Sequence, residues 1–289
     1  MSTAREAPPA VLVTGSSTGI GAACVRELDR RGFRVFAGVR SEADADRLKA
    51  DCSPRVVPLR LDVTKDDDIA AAAETIRQGV GDAGLAGLVN NAGVAVAGPL
   101  EILPLEELRR QFEVNVIGLI AVTRAMLPLV RRARGRIVNI SSLNGRIASP
   151  YLGPYCASKH AVEALSDALR IELRGWGIRV AVVQPGKTST PIWEKSLAAS
   201  DALSGEASPE DLALYKADLA AFRGSMVQVA ATAQSVDATV RAVLHALTAR
   251  RPKVRYPIGL EVKLLFRVFK WVPDRLWDWI LRRALGLPA

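Results

Sequence analysis

Short apolar runs alternate along the chain with longer stretches of mixed polarity. Val11-Leu12-Val13-Thr14 is the first run, stopped by Gly15, and its length and β-branched content predict a buried strand. Similar runs at 34–39, 56–61, 87–90, 136–141 and 178–183 predict five more. Between them the spacing is helical. One helix is expected over 20–31 with Gly32 beyond its end, a second in the charged, alanine-rich segment after Val39, and a third over 69–78. Two longer helices follow, one over 105–130 after Pro104 and one over 155–173, closed near Gly175 and Gly177.

Strands alternating with helices at short spacing predict an α/β fold: a single Rossmann-type, doubly wound parallel sheet with helices on both faces. Pro185-Gly186 stops the sixth strand, 233–249 reads as another helix, and 254–257 as a brief edge strand or extended piece. Residues 191–231 lack a strand signature and exceed an ordinary connection. They are expected to form one or two short helices, a lid over the mouth of a site. The domain therefore runs over 1–258, with an amphipathic tail at 259–289.

The chain has 289 residues, 49% of them hydrophobic, enough for one large, well-buried core. Its net charge is +9. From Arg251 onward nine Lys or Arg face three Asp or Glu, so +6 of that charge belongs to the last stretch. Positive charge without a recognisable binding module argues against nucleic acid. Cys24, Cys52 and Cys156 have neither paired nor metal-ligand spacing, which points to a reducing compartment and a cytoplasmic setting. No signal peptide is legible before Val11, and the longest charge-free stretch, 83–100, is broken up by glycine and asparagine, so a spanning helix is not expected.

The chemistry begins at the first turn. Gly15, Ser17, Thr18, Gly19, Ile20 and Gly21 lie between a strand and a helix, where the first glycine allows the tight turn, the next two let the backbone approach a pyrophosphate and the helix pack on the sheet, and free N–H groups face the phosphate charge. The spacing Gly-x-x-x-Gly-x-Gly differs from the dinucleotide fingerprint, and no Gly-Lys-Ser or Gly-Lys-Thr follows to suggest an ATP loop. At the end of the second strand no carboxylate stands at Val39, and Arg40 is a candidate partner for a 2′-phosphate. NADP(H) is thus preferred, with NAD(H) as the alternative; Glu42 and Asp44 nearby weaken the electrostatic case. Asp62, beside Val63, either accepts from an adenine amino group or caps the following helix. Lys159 lies four residues beyond Tyr155, on the same helical face, where its charge lowers the phenol's pKa. Ser142, ending the fifth strand, is placed to hold a carbonyl or alcohol oxygen.

With these motifs in order, the chain resembles the short-chain dehydrogenase/reductase family over about residues 10–250. The turn from Thr14 to Gly21 matches the family's cofactor turn. Ser142, Tyr155 and Lys159 match its catalytic residues, and Asn115 matches the asparagine that bends a long helix and completes a proton relay. The resemblance assigns Asn91-Ala92-Gly93 to the border of the nicotinamide pocket. It assigns Pro185, Gly186, Thr188 and Thr190 to the nicotinamide carboxamide. Residues 135–186 look most like the group of retinol dehydrogenases, 17-beta-hydroxysteroid dehydrogenases and D-3-hydroxybutyrate dehydrogenase. The family further implies a homodimer or homotetramer packed through the helices around 105–130 and 155–173.

Ile192, Trp193, Leu197, Leu212, Leu214, Tyr215, Phe222, Met226 and Val227 make the lid apolar, which suits a lipophilic alcohol or carbonyl compound. A small hydroxy acid would need an interior cation, with Lys187 and Lys195 as candidates. In the tail, Pro273 separates two amphipathic segments that mix Trp271, Trp277 and Trp279 with lysine and arginine. That pattern fits peripheral contact with an anionic bilayer, against burial on the body or on a partner subunit.

Overall fold

A computed structural model describes residues 8–190, 192, 193, 196 and 208–287. Seven parallel strands form one sheet in the order β3-β2-β1-β4-β5-β6-β7. The strands are β1 (Ala10–Val13), β2 (Arg34–Val39), β3 (Val56–Arg60), β4 (Gly87–Asn90), β5 (Arg136–Ile140), β6 (Arg179–Gln184) and β7 (Arg255–Pro257). The order reverses between β1 and β4, and open α/β sheets bind ligands at such a switch point, beyond the carboxyl ends of the strands.

Successive side chains of a strand point to opposite faces, and β1 shows it: Val11 and Val13 join one core, Ala10 and Leu12 the other. The first core takes α1 (Gly19–Arg30), α2 (Glu42–Asp51) and α8 (Asp237–Thr248). The second takes α3 (Asp66–Val80), α5 (Gly118–Arg132) and α6 (Gly153–Glu172), reached through residues such as Ile76, Met126 and Leu169, while α4 (Leu105–Phe112) packs against α6. The helix over Leu105–Arg132 is long and apolar enough to cross a membrane, but half of its most apolar window is buried, with Val122, Met126 and Val130 packed on the sheet.

A buried polar chain ties the two site-bearing helices to the sheet. Asn90 Nδ2 on β4 donates to Thr123 Oγ1 on α5 and to Asn139 Oδ1 on β5, both at 2.9 Å. Asn139 Nδ2 donates to Ser166 Oγ on α6 at 2.8 Å. Slipping either strand would strand these amides in the core, which costs about 1–3 kcal/mol for each group left unpaired.

Several expectations are adjusted. The helix expected over 105–130 is interrupted at Glu113–Ile117 by a π-helical turn, which presents Asn115 inward. The helix expected over 233–249 starts at Asp237, because Gln234 is paired with the segment after β6. Among the described residues of the lid, Ile192, Trp193 and Ser196 are helical, and Pro209–Ala231 forms a helix of 23 residues, α7, longer than the short helices expected. Ser208 Oγ accepts from the Asp211 amide, Pro209 opens the first turn, and the alanine- and leucine-rich run that follows continues through Gly224 with no proline inside it. Leu197 and Lys195 lie outside the described residues. Beyond β7, α9 (Leu260–Val268) and α10 (Asp274–Ala284) flank Pro273. Val262 is buried in the groove above Gly186, where a Cβ on that glycine would stand 2.6 Å from it.

Candidate active site

The switch point opens into a cavity of about 390 Å³. At its base is the first turn. Gly15 has a φ of +64°, and a Cβ there would lie 2.8 Å from the Ala92 Cα, so only glycine lets the two loops approach. Asn91 Nδ2 donates to the carbonyls of Thr14 and Gly15, and Thr14 Oγ1 accepts from the amides of Asn91 and Ala92. The turn is thereby held open, with the free N–H groups of the α1 N-terminus directed where a pyrophosphate would bind. Gly15, Ser17, Thr18, Gly19 and Ile20 line the cavity. Gly21 does not: it sits behind the turn, where a Cβ would meet the Gly15 carbonyl at 2.2 Å, so its part is packing.

Val39, Arg40, Asp62 and Val63 line the far end. Asp62 does not cap α3; its Oδ1 accepts from the Thr64 amide and hydroxyl at 3.1 and 2.8 Å. Burial works against this carboxylate's charge, but the Thr64 donors and then the Arg40 and Lys65 cations hold its pKa below the usual value. Arg110 and Val114, four apart on the helix that carries Asn115, also line the wall. They were legible only as one inward stripe of that helix.

Asn91, Ala92, Gly93, Ser142, Tyr155, Lys159, Pro185, Gly186, Thr188 and Thr190 meet on the opposite wall with Ile192 and Trp193. Asn115 stands one layer behind. Its Oδ1 accepts from the Val94 amide at 2.9 Å, and its Nδ2 donates to the Val94 carbonyl and Ser158 Oγ at 3.0 and 3.1 Å. Gln111, one turn earlier, brackets the same loop by accepting from the Val96 amide at 2.7 Å.

Tyr155 packs edge-on to Trp193, with ring centroids 5.5 Å apart. Burial pushes its phenol up to about 12, opposed by a hydrogen bond from Ser142. Lys159 Nζ lies 5.8 Å from the phenol ring centre and donates to the Ile140 carbonyl at 2.9 Å. Burial pushes this amine down to about 8, and the Glu163 carboxylate pulls it back up. The expected lowering of the phenol by Lys159 is not seen in this geometry, where both groups are buried and the amine donates to the Ile140 carbonyl. Cys156 serves structure: its Sγ accepts from Asn144 Nδ2 and the Ser149 amide, and burial raises its pKa.

Phe222 and Met226 of α7 pack with Tyr151, Leu152 and Cys156 beside the site. Tyr151 adopts a left-handed φ of 62°, unusual for a bulky residue, and its hydroxyl donates to Asp218 Oδ2 at 2.5 Å. Tyr215 bonds Glu101, a second tie between lid and body. Leu214 and Val227 are exposed and contribute nothing to the pocket. Lys187 is exposed and off the cavity wall.

This chain belongs to the short chain dehydrogenase family, whose model matches residues 9–201, and it is an oxidoreductase of that family. It is 40% identical to human (Homo sapiens) retinol dehydrogenase 16 over 284 residues, covering 96% of this chain and 89% of that protein. Human 17-beta-hydroxysteroid dehydrogenase type 6 is 39% identical with the same coverage. A short chain dehydrogenase from Burkholderia cenocepacia J2315, solved in complex with NADP, superposes with a TM-score of 0.71 at 28% identity, covering 97% of this chain and 98% of that one. Family members bind nicotinamide dinucleotides, and the glycine cradle and helix N-terminus here fit such a group.

The unfolded chain keeps the Lys159 proton up to its ordinary 10.5, the folded one only to about 8, so this residue's contribution to stability rises with pH across that window. Lys159→Met should therefore raise the melting temperature of the protein at pH 7 by several °C, the shift being worth on the order of 3 kcal/mol before the lost hydrogen bond to Ile140 is subtracted. Scanning calorimetry checks the sign, and a fall in melting temperature contradicts the burial argument.

Proposed function

We propose that the protein interconverts a lipophilic primary or secondary alcohol, of steroid, retinoid or long-chain type, and its carbonyl form. The observation that carries this reading is the buried Ser142–Tyr155–Lys159 group on the wall of a cavity that also contains an anion-binding helix N-terminus. A bound nicotinamide supplies or accepts the hydride. Tyr155 then moves the proton at the substrate oxygen: as base in oxidation, as acid in reduction. Ser142 orients that oxygen. Lys159, once charged beside the phenol, favours the phenolate and binds the cofactor ribose, and Asn115 steadies the loop against which the amine lies.

Apolar walls at Ile192 and Trp193 and the apolar lid cluster support a lipophilic substrate, as do the retinoid and steroid names of the relatives. A small hydroxy acid of the 3-hydroxybutyrate type would need a cation at the substrate end. Among the described residues, the cations on the wall are Arg40, Arg110 and Lys159. A non-catalytic, nucleotide-binding scaffold would have no need of all four of Asn115, Ser142, Tyr155 and Lys159. Arg40 and the missing carboxylate at Val39 favour NADP(H) over NAD(H). Exposed Leu105, Ile117 and Ile171, on the helices expected to pair subunits, support a homodimer or homotetramer.

The tail supplies a second element of this reading. Trp271 is 85% exposed and Leu260 80%, with Leu264 and Trp279 also open and Lys263, Arg267, Lys270, Arg282 and Arg283 around them. We assign this face to peripheral contact with an anionic bilayer, the medium from which a lipophilic substrate partitions.

In a cofactor-consumption screen of steroids, retinoids, aliphatic alcohols and hydroxy acids, the expected result is a higher kcat/KM for a lipophilic compound and for NADP(H). Tyr155→Phe should bind cofactor normally and lose at least about 10³-fold in turnover, within the range for a positioned acid–base group. Undiminished turnover in that variant removes the mechanism. Sedimentation with anionic vesicles should bind the full chain in a salt-dependent manner and not a chain ending at Pro257; equal binding by both contradicts the role given to the tail.

A further inference from the structure

Glu163 lies one turn beyond Lys159 on α6, on the same face, and is only 5% exposed. Both of its oxygens are engaged. Gln184 Nε2, at the end of β6, donates to Oε1 at 2.9 Å, and Arg255 Nε, on β7, donates to Oε2 at 2.9 Å. Arg255 Nη2 also donates to Asp167 Oδ2 at 2.7 Å, so one guanidinium spans two carboxylates of α6. A buried acid with a guanidinium and an amide on its oxygens is a paired anion held in one place.

Other charges on the elements around the Lys159 amine are directed elsewhere. Arg110 on α4 pairs with Glu107, Arg146 lies over the Phe266 ring, Asp167 is shared by Arg170 and Arg255, and Glu113 on the π-helical turn is exposed. Tyr155 is the neighbouring titratable group on α6 itself, and the Ile140 carbonyl offers the amine a direction but no charge. Resting on the reading of Lys159 as part of the proton-transfer group, we propose that Glu163, anchored by Arg255 and Gln184, is the positioning residue that keeps Lys159 charged. The edge strand β7 thereby reaches the active site through one ion pair, immediately before the chain enters its tail. Burial alone would discharge the amine, and Glu163 is the carboxylate that opposes this.

The test follows the Lys159 amine directly, by NMR on full-length protein labelled with ¹³C at lysine Cε, with Lys159→Met identifying the signal. In Glu163→Gln the titration should move down by about one pH unit, the lower end of the effect of an opposite charge at close range. The high-pH limb of kcat should move with it, with little change in the substrate KM, and Glu163→Asp should restore most of the shift. Glu163→Met, which removes the charge without leaving a buried amide to satisfy, should move the titration in the same direction and serves if Glu163→Gln fails to fold. An unchanged Lys159 titration in either folded variant overturns the proposal. Full turnover in Lys159→Met, together with a shifted titration in Glu163→Gln, would support the charge link and overturn the catalytic reading.

Discussion

Lys159 places an amine almost wholly out of water, donating to the Ile140 carbonyl at the end of β5, with burial drawing its pKa down to about 8. A buried cation survives only where the surrounding fold supplies a partner and holds it still. Here the supports are spread across the molecule. The Asn90–Asn139–Ser166 chain fixes α6 against the sheet, Asn115 braces the neighbouring loop, and Glu163 stands below on its Arg255 anchor. The desolvation that makes the lysine expensive is also what makes its charge effective, since the same low dielectric strengthens its influence on a phenol one helical turn away.

The cavity separates two kinds of chemistry by position. Its base is backbone: a glycine turn and a helix N-terminus, suited to phosphate and indifferent to the rest of the ligand. Its upper wall is side chains, with hydroxyl, phenol and amine arranged for proton movement and Trp193 covering the phenol. α7 packs beside the side-chain end alone. Phe222 and Met226 pack beside Tyr151, and the bonds from Tyr151 to Asp218 and from Tyr215 to Glu101 tie α7 to the body. The backbone cradle and the side-chain wall are therefore built from different elements, so either can vary without the other.

The strand pattern was legible because the five central strands are short runs buried on both faces, and the catalytic spacing because Tyr155 and Lys159 share a helix. Less legible were features made by contacts distant in sequence. Gly21, one of two glycines read for both pyrophosphate approach and helix packing, keeps the packing role, which the nearness of the Gly15 carbonyl and Asn91 decides. Arg110 and Val114 were hidden in an ordinary amphipathic helix. The single long α7 was obscured by its lack of a clear apolar stripe, which left no periodicity to measure. The lowering of the phenol's pKa was inferred from spacing, yet spacing does not say that the amine turns to Ile140 or how much water both groups lose. Arg255 carried no local signal at all, because its meaning lies in carboxylates 88 and 92 residues away.

The most direct measurement of the central claim is an ultraviolet difference titration of the Tyr155 phenol, with Tyr155→Phe as the blank, in the free protein and in the protein saturated with oxidised cofactor. The account predicts a phenol near 12 in the free protein that ionises below its ordinary value of about 10 once the site is filled and Lys159 acts on it. A phenol that stays near 12 in the filled site would contradict it.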